Sequence, residues 1–176
     1  MAGTRYSLNN SKFLLPPESA KLRQLIHDYR LQDTRNCLLI DLALRTGARA
    51  QELLNLTAAD LNTFDQSVLI QGIKGSNDRE IPLAPGFFQE LVSWSQKSGQ
   101  ARIFSISYER LVQIWQIYRP VPKKFHSLRH TFAIELFQRT KDLRLVQVAL
   151  GHRNIQNTMI YADYIYSKQE LRRLLT

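Results

Sequence analysis

Apolar residues first recur at helical spacing after Pro16-Pro17. Leu22, Leu25, Ile26 and Tyr29 share one face, behind a proline entry and Glu18 in the first turn. Asp33-Thr34 reads as the cap of a second helix, in which Cys37, Leu38, Ile40, Leu42, Ala43 and Leu44 leave little polar surface. A helix apolar on most sides belongs at the centre of a core. Thr46-Gly47 stops it, and a short helical piece over 50–56 follows. The character then changes over 65–74 and 79–83. Val68, Leu69, Ile70 and Ile73 are β-formers, and Gly75-Ser76-Asn77-Asp78 is turn chemistry. This predicts a β-hairpin with Lys74 at its tip, its second strand confined to an edge by Pro82 and Pro85. Helical spacing returns over 86–97 and 108–118. Arg119-Pro120-Val121-Pro122 breaks the chain before a helix that starts around His126 and carries Phe132, Ile134, Leu136 and Phe137. Further helices are predicted over 143–150 (stopped by Gly151), 154–161 and 167–175. The expected fold is mainly α, of α+β class, with one small antiparallel hairpin. Residues 15–176 form its single domain and 1–14 a flexible leader.

At 176 residues the chain is long enough for one domain with a real core, and 44% apolar residues suit a globular protein. The charge changes the picture. Twenty-four Lys and Arg against fifteen Asp and Glu give +9, the electrostatic footprint of a polyanion binder. No single basic block carries that excess, so it is not a disordered basic tail. Cys37 is the only cysteine, which excludes an internal disulfide and fits a reducing cytoplasm. Its apolar neighbours make it a core thiol. The first residues lack a signal-peptide apolar stretch, and no apolar run approaches the ~18 residues of a membrane span. A cytoplasmic protein without a membrane partner is expected.

Candidate chemistry centres on Lys124-Phe125-His126-Ser127-Leu128-Arg129-His130-Thr131-Phe132-Ala133, two histidines and an arginine at the start of an apolar-faced helix. Half-buried positive charge is costly unless an anion meets it. His126 and His130, four apart, could instead hold a metal, but the zinc-protease pattern wants Glu where Ser127 stands, and no third ligand cluster is near. No metal and no cofactor are expected. Four more features share this character: Thr46-Gly47-Ala48-Arg49-Ala50-Gln51-Glu52-Leu53, Lys74, Leu150-Gly151-His152-Arg153-Asn154-Ile155, and Tyr161 nine residues after His152. Each has an ordinary structural explanation: a local Arg49–Glu52 ion pair, a solvated turn lysine, a capping histidine, a core-edge tyrosine. As a set they have a chemical one. Two arginines can grip the non-bridging oxygens of a phosphodiester with fork-shaped donors. A tyrosine can attack the phosphorus, while Lys and His move protons at the bridging oxygens. The guanidinium pair neutralises charge in that scheme without a metal.

Thr46-Gly47-x-Arg49-x-x-Glu52-Leu53, the hairpin Lys74, His126-x-Leu128-Arg129-His130-Thr131 and Leu150-Gly151-His152-x-x-Ile155-x-x-Thr158-x-x-Tyr161 resemble the motif set of the tyrosine recombinases, the lambda-integrase family, in order and in spacing. The resemblance runs from about Leu14 to the C-terminus. It implies a helical catalytic domain that cleaves and rejoins DNA through a 3′-phosphotyrosyl link, without ATP. Tyr161 would be the nucleophile, with Arg49 and Arg129 clamping the scissile phosphate. Lys74 would be general acid toward the leaving 5′-oxygen, His126 proton acceptor or donor at the tyrosine, and His152 a phosphate hydrogen-bond donor. Glu52 would orient Arg49 or its neighbours, and Arg153 would add a DNA contact. Tyr164 and Tyr166 lie close enough to be alternatives, but the family spacing favours Tyr161. The partner implied is double-stranded DNA carrying specific recombination sites. Four protomers would act on two sites, from a protein monomeric alone, with DNA-bending accessory proteins as possible partners. A C-terminal helix over 167–175 would dock on a neighbour or on its own domain.

The chain departs from most relatives in having only a short leader where they carry a core-binding domain. In this it is similar to the short fimbrial phase-variation recombinases, and equally to the catalytic fragment of a longer integrase. Asn77 and Asp78 also stand where relatives often carry a second basic residue, leaving Lys74 the candidate there. Two other functions compete. Type IB topoisomerase-like relaxation uses the same tyrosine chemistry but longer His-to-Tyr spacing. A catalytically silent DNA-binding factor on this scaffold would not need Tyr161, Lys74 and both arginines together.

Overall fold

The computed structural model describes residues 8–73, 75–164, 166 and 168–176. Helix α1 (Pro16–Tyr29) begins where proline fixes the first turn, and the Glu18 carboxylate accepts from the Leu15 N–H at 2.8 Å. Leu22 and Ile26 seat it on α2 (Thr34–Thr46), the central helix. Cys37, Leu38, Leu39, Ile40, Leu42 and Ala43 of α2 have no exposed surface. Gly47 ends α2 in the left-handed conformation, φ 60°, where a Cβ would lie 2.4 Å from the Phe132 ring. Helix α3 (Ala50–Asn55) follows after only three residues.

The sheet is antiparallel, with strands β1 (Leu61–Asn62), β2 (Ser67–Ile70) and β3 (Arg79–Pro82) in that spatial order. Ser67 pairs with Pro82 and Ile70 with Arg79. Pro82 therefore sits on an edge strand, where its missing N–H breaks no ladder. The strands are shorter than the hairpin predicted, and β1 extends it to three strands. Two residues are too few to show a period of two.

Helices α4 (Pro85–Ser98), α5 (Tyr108–Tyr118), α6 (Ser127–Thr140) and α7 (Leu143–Leu150) complete the body, and α8 (Lys168–Leu175) ends it. Helix α6 starts one residue after His126, which is its N-cap. The helix expected over 154–161 is instead two tight 3₁₀ segments, Ile155–Asn157 and Met159–Tyr164. Here the Asn154 carboxamide accepts from the Gln156 N–H at 2.9 Å, a local bond that competes with an α-helical start. Part of the expected leader is packed rather than flexible: Leu8, Phe13 and Leu14 are buried. Among the described residues no helix is long and apolar enough to cross a membrane.

Two apolar clusters build the core. The larger gathers α1 to α5 and the sheet; the smaller joins Leu8 and Phe13 to α6, α7 and Tyr161. Helix α6 bridges them, with Leu128 in the first and Ala133, Ile134 and Phe137 in the second. The polar seam between the clusters is closed at Gly151, φ 68°, where a Cβ would stand 2.6 Å from the Asn77 carbonyl oxygen. Gly151→Ala meets both left-handed strain and a backbone clash. It is expected to destabilise the fold by roughly 2–4 kcal/mol. Urea unfolding measures this, and a change below about 0.5 kcal/mol, ordinary for an unconstrained surface position, would contradict the tight approach.

Candidate active site

The α2–α3 turn, the β2–β3 hairpin, the start of α6 and the end of α7 meet along this seam. Arg49 follows the Gly47 turn as the N-cap of α3. Its backbone N–H donates to one Glu52 carboxylate oxygen at 2.8 Å, its Nη1 to the other at 3.0 Å, and the same Nη1 also donates to the Ser76 hydroxyl. The Glu52 carboxylate is wholly buried and takes a second arginine, Arg79 of β3, at 2.7 and 3.3 Å. Burial alone would raise the Glu52 pKa. Arg79, the Arg49 N–H and the Arg129 charge outweigh it and hold the carboxyl below its ordinary value.

Arg129, in the first turn of α6, is 2% exposed and ties the two clusters together. It donates to the Gly47 carbonyl at 2.7 Å and to the Leu150 carbonyl at 2.8 Å. Burial, with Arg49 and Arg79 nearby, pushes its pKa down. A guanidinium stays charged in proteins, so a buried cation stands here with two other arginines close by.

Tyr161 is 1% exposed, and its hydroxyl lies 2.9 Å from Nδ1 of His130. The His130 ring meets that of His126 edge-on, with centroids 4.9 Å apart. The imidazole against Tyr161 is thus that of His130, one turn beyond the His126 to which the family resemblance assigns the proton transfer. His126 borders an open cleft of about 940 Å³ shared with Arg49, Gln51, Tyr108, Arg119 and Lys124. Burial, then the Arg129 and Arg49 cations, push His126 down to about 4, although the residue as a whole is well exposed. His152 follows Gly151, with Nδ1 2.9 Å from the Thr158 hydroxyl. Burial and the Arg129, Arg49 and Arg79 charges lower it to about 3. The hairpin is pinned to this turn by the Asn77 N–H on the Gly151 carbonyl at 2.9 Å and by a bridge between Ser76 and His152. Arg153 is exposed at the margin, 3.3 Å from the Asn77 side chain. Lys74 lies outside the described residues. Among those described, no group of three or more His, Cys, Asp and Glu is arranged to hold a metal ion.

Arg49, Glu52, His126, Arg129, His152 and Tyr161 are thus gathered at the seam. The two alternative tyrosines, Tyr164 and Tyr166, are not. The Tyr164 hydroxyl donates to the Leu8 carbonyl at 2.8 Å, and the Tyr166 ring lies 5.0 Å from the Lys141 ammonium. His130 and Arg79 are the site residues that sequence reasoning left out. The signal for His130 was its position one turn from His126 and next to Arg129; Arg79 gave none.

His130 also sets a pH dependence. Burial, then the neighbouring His126 and Arg129, push its pKa from 6.5 to about 3. Below pH 6.5 the unfolded chain therefore binds a proton that the folded one rejects, and stability falls as pH falls. Between pH 7 and 5 this contributes a loss of about 1–2 kcal/mol. His130→Gln should lessen the loss by that amount in urea unfolding at the two pH values; an unchanged loss would contradict a neutral, buried His130.

A tyrosine recombinase of Pseudothermotoga lettingae is 32% identical over 87% of this chain and 56% of its own length. The tyrosine recombinase XerA of Pyrococcus furiosus is 29% identical over 85% of the chain and again 56% of its own. The chain thus spans little more than half the length of these relatives. Its fold matches the crystal structure of XerH site-specific recombinase bound to difH substrate, a pre-cleavage complex. There the TM-score is 0.72 and the identity 27%, over 97% of this chain and 55% of that one. The catalytic domain of bacteriophage HP1 integrase matches in fold, with TM-score 0.67 and 24% identity, over 93% and 92% of the two chains. Residues 13–168 match the phage integrase family, and with its motifs and fold in agreement the chain belongs to that family.

Proposed function

We propose that this chain cleaves and rejoins DNA as a tyrosine-type site-specific recombinase. One observation carries the proposal: a tyrosine hydroxyl 2.9 Å from a neutral imidazole, in a seam where Arg49 and Arg129 concentrate positive charge. The Tyr161 oxygen attacks the scissile phosphorus and the P–O5′ bond breaks, leaving a 3′-phosphotyrosine and a free 5′-hydroxyl. His130 accepts the phenolic proton, with His126 beside it, and Lys74 protonates the departing 5′-oxygen. Arg49 and Arg129 neutralise the charge that builds on the non-bridging oxygens, and His152 donates a further hydrogen bond there. Attack by a 5′-hydroxyl reverses the steps, and one phosphodiester-like bond is exchanged for another, so no ATP is needed. Since Tyr161 is 1% exposed, the Met159–Tyr164 segment must shift for its oxygen to meet a phosphate.

The substrate in this reading is double-stranded DNA with specific sites, which the XerH site-specific recombinase bound to difH substrate supports by likeness of fold; four protomers would act on two such sites. Arg153 and the basic rim of the 940 Å³ cleft hold the flanking backbone. Helix α8, with Leu174 and Leu175 exposed, suits docking on a neighbouring protomer. The test is a nicked duplex drawn from DNA flanking the gene, mixed with protein and run in a denaturing gel. A covalent adduct is expected. A native mobility shift without any adduct would instead support a binding factor. The shift should also weaken steeply with salt, log K falling by about 0.9 per neutralised phosphate against log salt. A slope near zero would contradict backbone-driven binding.

A further inference from the structure

We infer that Arg79 is a positioning residue for strand cleavage, which sets the Arg49 guanidinium through the Glu52 carboxylate they share. The inference rests on the recombinase function proposed above. Arg79 leaves strand β3 and is almost wholly buried, its side chain 3% exposed. It lies outside the phosphate-handling set, yet it bonds two elements across the seam and packs under a third position, Gly151. Its fork grips Glu52 at 2.7 and 3.3 Å. Its Nε donates to the Ala149 carbonyl at 2.9 Å, one residue before the carbonyl held by Arg129. Its Nη1 and Cδ lie 3.2 Å from where a Cβ on Gly151 would stand, so the glycine lets the α7 turn close over the guanidinium.

Glu52 Oε1 is shared, accepting from Arg49 at 3.0 Å and from Arg79 at 3.3 Å. A carboxylate on a six-residue helix keeps several rotamers unless something holds it. Arg79 bonds both carboxylate oxygens, so Oε1 is presented in a fixed place and the Arg49 fork is aimed by it. Because the same guanidinium binds the Ala149 carbonyl, hairpin, α3 and the end of α7 move as one unit. A lysine offers a point charge and cannot span both partners.

The test compares wild type, Arg79→Lys and Arg79→Met on the nicked duplex, separating the adduct-forming rate at saturating DNA from the DNA dissociation constant. Arg79→Lys retains a cation beside Glu52 and serves if Arg79→Met does not fold. The expected result is a rate lowered about 30-fold or more by Arg79→Lys, with the dissociation constant within about threefold. In an Arg49→Ala background the same substitution should lower the residual rate less than about threefold, because its effect runs through Arg49. A merely structural role gives the same fold-loss in both backgrounds and overturns the inference, as does an Arg79→Lys rate within threefold of wild type. The Arg49 Nε–H signal in ¹⁵N-edited spectra gives a second readout that needs no DNA. It should shift and broaden in Arg79→Lys, and an unmoved signal counts against positioning. If wild type forms no adduct while that signal moves, the recombinase proposal fails and the Arg79–Glu52–Arg49 linkage stands.

Discussion

Tyr161→Phe is expected to eliminate the covalent adduct, lowering its rate by at least about 10³-fold, since it removes the one phenolic oxygen that the proposal makes the nucleophile. The substitution keeps the ring and the packing of the smaller cluster and removes only the hydroxyl 2.9 Å from His130. The expected change in stability is therefore no more than about 1 kcal/mol, and the DNA mobility shift should survive. Tyr164→Phe is the informative control. Its hydroxyl bonds the Leu8 carbonyl, away from the arginines, so adduct formation should persist within a few-fold of wild type. Gel quantification of the two variants side by side checks both statements. An adduct that survived in Tyr161→Phe and vanished in Tyr164→Phe would move the nucleophile and overturn the proposed site.

The largest expected effect on stability is at Glu52. Glu52→Gln keeps the shape but removes the charge that two arginines share, leaving the Arg79 guanidinium buried without its counter-ion. Breaking a buried pair from one side costs about 3–5 kcal/mol, or roughly 10 °C in Tm for a chain of this size. The pH dependence gives a second check. The folded-state pKa of Glu52 lies below its ordinary value, so its contribution is fully present above that ordinary value and is lost as pH falls through the depressed one. The gap between wild type and Glu52→Gln in urea unfolding should be wide at pH 7 and close progressively as pH falls below the ordinary carboxylate value of 4.5. A gap that is small at pH 7, or that does not change in acid, would mean that the Glu52–Arg79 pair does not hold the seam together.

The parts of the fold that local rules govern were legible in the sequence. Pro16 and Glu18 marked a helix entry and Gly47 a helix stop, because each acts within one turn of chain. The apolar run 37–44 named the central helix, since a helix without a polar face has nowhere else to go. The mainly helical fold with a small antiparallel sheet follows from such signals, and the resemblance drawn from the Arg49, His126–Thr131 and Leu150–Tyr161 motifs is borne out by the family match over 13–168. What stayed hidden depends on tertiary contacts or on very short elements. Strand β1 has two residues and no readable period. The segment 154–161 has helical spacing but a competing Asn154 turn, and the chain tightens into 3₁₀ geometry. Phe13 looked like part of a leader because its partner Tyr164 lies 151 positions later, their rings 5.2 Å apart. Arg79 stands in an edge strand, where an arginine is usually solvated, and only the fold reveals its burial against Glu52. His130 was visible as a motif member, but its contact with Tyr161 is set by how α6 meets the Met159–Tyr164 segment.

The most direct measurement is to digest the protein–DNA adduct and map the linkage by mass spectrometry, with the DNA end identified separately by enzymatic labelling. A 3′-phosphate joined to the peptide containing Tyr161, with a free 5′-hydroxyl on the released strand, is the predicted result. Attachment at another residue, or through a 5′-phosphate, would contradict the account at its centre.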